Sequence, residues 1–217
     1  MSEPRTGAAP RPTAGALRLV EARSEDPAVV DVSAYVAAMG AHCPFLAPSV
    51  DRHLTGWTVY EIAATDRTAV EAELFHAGVQ AAEWIRRLKS RPHGALACEN
   101  LVILGSLPGT GHHDLMRRPY WALRNLYAPV GVLFGKFSEG RREADRFGRA
   151  IPAPPFSFLP VRAAVPSRDG RFLASTPDMA SAVAAASDDG RDVFEHIPCD
   201  WKAVQAWASS LAAPTKR

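Results

Sequence analysis

The residues best placed to do chemistry begin with His42-Cys43-Pro44-Phe45. A cysteine directly before proline projects its thiol from a stiff backbone, because proline fixes its own φ and restricts the residue ahead of it. A thiolate held in this way is a candidate axial ligand to haem iron. Cys43 is thus the candidate metal ligand, and His42 beside it a second cofactor-binding candidate. The competing account is a structural cysteine after a helix stop, since free cysteine is often buried. Nucleophilic use of Cys43 would need an activating base.

A second set surrounds Val130-Gly131-Val132-Leu133-Phe134-Gly135-Lys136-Phe137. Glycines inside a strand leave gaps that a ligand or another backbone can approach, or else mark a bulge or crowded packing. Their spacing fits neither the dinucleotide-binding fingerprint nor the P-loop. Beyond them Arg141, Arg142, Arg146 and Arg149 alternate with Glu139, Glu143 and Asp145. Guanidinium groups can clamp a carboxylate of an amino-acid-like substrate or the propionates of a haem. Gly135, Lys136, Arg141 and Arg142 are therefore the candidate substrate-binding residues, against the plainer reading of a solvated loop of mixed charge.

The remaining polar candidates are weaker. His112-His113 lies in a glycine-flanked loop before a helix, and His76 sits at the boundary of an apolar stripe. No CxxC pair or HExxH appears, and no local Ser, His and Asp signature. Asp51 and Glu61 are the carboxylates on which a cofactor-free isomerase, cyclase or hydrolase would draw.

These residues need a scaffold, and composition bounds it. The chain has 217 residues, 47% apolar and 22% charged, ordinary values for a globular protein. A net charge of +2 excludes the concentrated basic character of a nucleic-acid binder. No apolar run reaches the ~20 residues that span a bilayer, and the Pro-, Gly-, Ala- and Thr-rich start lacks a signal-peptide core. A cytoplasmic protein is expected. Three widely spaced cysteines do not form a disulfide framework. Residues 1–25 read as a disordered N-terminal segment, 26–211 as one globular domain and 212–217 as a tail. Abundant Ala, Arg, Pro and Gly point to a high-GC bacterial coding sequence.

Within the domain, Asp26-Pro27 reads as the start of a helix carrying Val29, Val32, Val36 and Met39, stopped by Gly40. Residues 42–48, with two prolines close together, follow it as a fixed, non-helical turn. Residues 57–62 have strand composition. Thr68 and Glu71 form a capping-box pattern, and Val70, Leu74, Ala77, Ala81, Ile85 and Leu88 trace a helical stripe. Residues 101–104 read as a strand covered on both faces, and Tyr120, Leu123, Leu126 and Tyr127 as the next helix. Strands are expected at 130–137 and 158–165, the latter confined by Pro160 to an edge or a bulge. Thr176-Pro177-Asp178 opens a short helix, and Asp200 caps a last one. The fold class is α/β or α+β, a central sheet covered by helices.

Glu99 to Gly140, with His42-Cys43-Pro44-Phe45-Leu46-Ala47-Pro48 upstream and Phe156 to Pro166 downstream, resembles a bacterial family catalogued only as a domain of unknown function. The resemblance spans about residues 39–173. It implies a small stand-alone protein of a biosynthetic gene cluster and a haem-dependent oxidative role. In that pattern histidine and proline follow the Gly-x-Phe step, where this chain has Ser138 and Glu139. The expectation is an oxidoreductase of bacterial specialised metabolism, a haem-dependent oxidase or oxygenase acting on an amine or amino-acid-like substrate. The alternative is a non-catalytic small-molecule-binding or accessory protein of such a pathway. Both leave open a homo-oligomer or a partner enzyme.

Overall fold

The longest helix in the chain is built on the stripe that its sequence announces. In the computed structural model, which describes residues 15–144 and 148–211, that helix is the third of the sequence β1 (Leu17–Ser24), α1 (Ser33–Met39), α2 (Leu46–Val50), β2 (Thr55–Ile62) and α3 (Arg67–Leu88). Then come β3 (Cys98–Leu104), α4 (His112–Leu115), α5 (Arg117–Tyr127), β4 (Val132–Phe134), and a hairpin of β5 (Glu143–Ala144) and β6 (Ala150–Ile151). β7 (Ser157–Ala163), α6 (Gly170–Ser175), α7 (Pro177–Ala184) and α8 (Trp201–Ser210) complete it. Five strands form one sheet in the order β1-β2-β3-β7-β4. β2 and β3 run parallel across the α3 connection, and the other neighbours are antiparallel. This is an α+β domain with a central helix-covered sheet. Among the described residues no helix is long and apolar enough to cross a membrane.

α3 starts where Asp66 accepts a hydrogen bond from the Thr68 amide at 2.9 Å. The expected Thr68–Glu71 capping box is not formed. Glu71 is instead buried within the helix face, paired with Arg67 at 2.7 Å. Val70, Leu74, Ala81 and Ile85 of α3 pack with Leu123 and Tyr127 of α5 on one face of the sheet, over Leu101, Ile103, Leu159 and Val161. Strand alternation sends Trp57, Val59, Val102 and Phe158 to the opposite face. There they meet Val32, Tyr35 and Met39 from α1 and its preceding residue.

Several expectations need correction. Leu17–Ser24, placed in the disordered N-terminal segment, forms the edge strand β1. Its start is tied to α3, because the amides of Gly15, Ala16 and Leu17 donate to the Glu73 carboxylate at 2.7–2.8 Å. A strand whose partner lies some 40 residues downstream has no local signature of order. Residues 1–14 and 212–217 lie outside the described residues. The first helix begins at Ser33 rather than at Asp26-Pro27, and Val29 remains 47% exposed. Pro48 falls inside α2 and does not oppose it, because the amides of a helix's first turn have no intrahelical partner.

Pro160 lies on neither an edge nor a bulge. β7 is flanked by β3 and β4, and the register against β4 continues unbroken to Phe137 opposite Phe158. The Pro160 carbonyl accepts from the Gly135 amide at 2.9 Å. Its missing N–H therefore faces Gly135, where β4 has ended and the ladder lapses until Phe137.

Gly78 sets the distance between α3 and α5, since a Cβ there would lie 2.3 Å from Leu123 Cδ1. Leu123 is fully buried and has no room to retreat. Gly78→Val should cost about 1–3 kcal/mol by overpacking, read as a lower urea midpoint with an unchanged slope. A midpoint equal to wild type would show that these helices do not pack at Gly78.

Candidate functional site

The two faces of the sheet are covered unequally, and a cavity of about 750 Å³ lies on the side of α1 and α2. Its floor comes from alternate residues of neighbouring strands: Thr55 and Trp57 of β2, Cys98 and Asn100 of β3, and Phe158, Pro160 and Arg162 of β7. Its roof is the segment from Tyr35 through Ser49. The roof is pinned along its C-terminal part. Ser49 Oγ and Thr55 Oγ1 are 2.6 Å apart and buried, and Phe45 lies under the Arg162 guanidinium at 4.4 Å. Arg162 is itself held by the buried carboxylate of Asp169, which also accepts from the Val165 amide at 2.6 Å.

Cys43 and His42 both line this cavity, half-buried. Their backbone is fixed as the proline predicts: both amides donate to the Met39 carbonyl at 2.9 Å. Cys98 lines it as well, and burial, with a smaller contribution from Cys43, pushes its thiol up to about 12. That shift favours the thiol form of Cys98, whose sulfur lies 3.8 Å from Asn100 Oδ1. Asn100 is oriented by donating to the Gly56 carbonyl at 3.0 Å. Among the described residues no group of three or more His, Cys, Asp or Glu converges to hold a metal ion.

The second set is gathered by folding. Lys136 lines the cavity just past β4, and its ammonium lies 3.3 Å from His113 Nε2. Arg141 Nη1 is 2.8 Å from His113 Nδ1, and the Ser138 hydroxyl is 3.1 Å from the same nitrogen. Ser138, where the resembled pattern has histidine, is buried against this imidazole. Burial first, then Lys136 and Arg141, lowers the His113 pKa and favours the neutral ring. Burial and Arg141 likewise lower that of Lys136. A serine–histidine pair with cations rather than a carboxylate against the ring is not arranged as a hydrolytic triad.

The other candidates separate. Gly135 lines the cavity, but its lack of a side chain is a packing matter: a Cβ would lie 2.7 Å from Pro160 Cγ. Arg142 is exposed and does not line the cavity, and Arg146 lies outside the described residues. His112 turns away to the Gly105 carbonyl at 2.8 Å. Glu61 pairs with Arg18 on the edge of the sheet, and Asp51 ends α2. Tyr35, Cys98, Asn100 and the Arg162–Asp169 pair were missed in the sequence. Alternation along 98–104 would have put Cys98 and Asn100 on one face, had the strand been extended back from Leu101.

A depressed histidine pKa has a consequence for stability. Below about 6.5 the unfolded chain takes up a proton at His113 before the folded protein does, so stability falls with pH in that window. The wild type should lose more melting temperature than His113→Asn on going from neutral pH to about 5.5. Parallel curves would show that His113 is not held neutral.

No known protein family, curated protein or solved structure matches the chain, so its function has to be found in the chemistry of this cavity.

Proposed function

We propose that this protein binds a small organic molecule with a largely apolar body in the cavity between the sheet and the α1–α2 roof. The observation that carries this reading is the cavity itself. At about 750 Å³, walled by Tyr35, Met39, Trp57, Phe137 and Phe158 and furnished with a few fixed polar groups, it has the form of a ligand pocket. Those polar groups are held by protein partners in recognition geometry, as with Asn100 against Gly56 and Arg162 against Asp169. The neutral fluorophore N-phenyl-1-naphthylamine should bind saturably with a blue-shifted emission. Val36→Trp, which fills the cavity from a half-exposed position on α1, should weaken that binding at least about tenfold at an unchanged melting temperature. An unsaturable signal, or equal binding by the variant, would defeat the reading.

A second reading is favoured by one observation: Cys43, stiffened by Pro44, faces this cavity. Were a haem bound here, Cys43 would be the thiolate that holds it, with His42, Lys136 and Arg168 as polar neighbours, and it would supply the oxygen chemistry of an oxidase or oxygenase. The residues fit such a group in kind: a half-buried thiol, apolar walls and cations at the margins. Protein expressed with iron and a haem precursor should then show a Soret band that Cys43→Ser shifts or abolishes. A colourless protein rules this reading out and leaves the binding function standing.

A further inference from the structure

Among the described residues, the cavity wall carries a buried hydroxyl with no hydrogen-bond partner and an ammonium with no carboxylate within ion-pair distance. Tyr35 is 8% exposed, and its ring meets Phe158 edge-on at 5.9 Å. Its buried hydroxyl has no hydrogen-bond partner among the described residues, although the side chain lines the cavity. A buried, unsatisfied hydroxyl is costly to keep, and an acceptor seated in the cavity beside Tyr35 would satisfy it. Burial and the nearby Cys43 and Glu143 raise the phenol's pKa, so Tyr35 arrives as a hydrogen-bond donor.

Lys136 lines the cavity, and its hydrogen-bond partner among the described residues is the imidazole of His113. Arg141 shares that imidazole and pairs with Glu143 at 3.0 Å. Arg117 and Asp114 also act on Lys136, with opposite signs. Among the described residues that act on Lys136, Arg141 and Arg117 are cations and Asp114 and Glu143 are carboxylates. Glu143 itself lines the cavity, where a dianion would meet it. Phe158, against Tyr35 by its edge and stacked on Phe137 at 4.9 Å, supplies an apolar surface beside the charged end.

We propose that the ligand of this cavity is an organic monocarboxylate, its carboxylate accepting a hydrogen bond from the Tyr35 hydroxyl and compensated by the Lys136 ammonium. The proposal rests on the cavity being a small-molecule site and adds the chemical class of what fills it. Charge-assisted hydrogen bonds are about twice as strong as neutral ones, so the acid should be selected over the matching alcohol.

The test is displacement of N-phenyl-1-naphthylamine by dodecanoate, dodecanol and dodecyl phosphate. Dodecanoate should compete at a concentration about tenfold below that of dodecanol. Tyr35→Phe, which keeps the ring against Phe158, should raise the dodecanoate concentration several-fold, and Lys136→Met should remove the preference for the acid. Both variants should keep the wild-type melting temperature, and each should raise the dodecanol concentration less than that of dodecanoate. Equal competition by acid and alcohol, preference for the phosphate, or variants that weaken both ligands alike would overturn the monocarboxylate. Failure of the fluorophore to bind at all would instead strike the small-molecule cavity itself.

Discussion

The arrangement depends on an imbalance in what covers the two faces of one sheet. On one side α3, 22 residues and about 33 Å long, lies with α5 and α8 over a continuous layer of Leu, Ile, Val and aromatic side chains. On the other, α1 and α2 have 7 and 5 residues and must cover the same strands. They close over Trp57, Val59 and Phe158 and leave the remainder open. The first face has the close packing of a protein interior. The second is held apart by contacts at its margins, Tyr35 against Phe158, Phe45 under Arg162, and Ser49 to Thr55. A roof propped in this way cannot collapse onto the floor without losing them, and the cavity persists as a consequence.

Burial also decides the chemistry of the groups that face this space. The thiol of Cys98 and the phenol of Tyr35 are driven toward their protonated forms, because desolvation penalises the charged state. The same penalty, with like charges nearby, disfavours protonation of His113. The cavity thus presents neutral donors at its wall and positive charge at one end. Such a pattern recognises shape and a single charge more readily than it transfers protons, and this favours binding as the base on which any catalytic role would be built. The cysteine–proline turn adds a thiol on a fixed backbone to the wall, and the proposed haem-dependent role would rest on it.

Local conflicts in the sequence are resolved by where their missing groups point. Pro160 lacks a donor at the one place where β4 has ended, and Gly135 lacks a side chain where the Pro160 ring stands. Each makes the other tolerable, though each alone argues against a regular strand. α7 and the residues that follow it are attached by partly buried ion pairs as well as by apolar contact. Arg124, 5% exposed, pairs with Asp178 of α7. Arg86 of α3 and Lys89, just past its end, both reach Asp188, 2.7 Å away in each case. Pairs of this kind contribute direction more than net stability, because desolvation of the partners offsets much of their attraction.

Some of this was legible in the residues alone. The stripe of α3, the apolar run of β3, the Asp200 cap of α8 and the stiff turn around Cys43 are local patterns, set by helical period, strand composition and proline geometry. So were the candidacies of Cys43, His42 and Lys136, which all line the cavity, and of Arg141, which stands behind Lys136. The tertiary structure decided the rest. It made Leu17–Ser24 a strand, put Pro160 inside the sheet, and brought Tyr35, Lys136 and His113 to one region from three separate segments. The physical reason is one of range. Periodicity and capping act over a few residues, whereas strand order depends on pairings across 33 to 64 residues that no local pattern records.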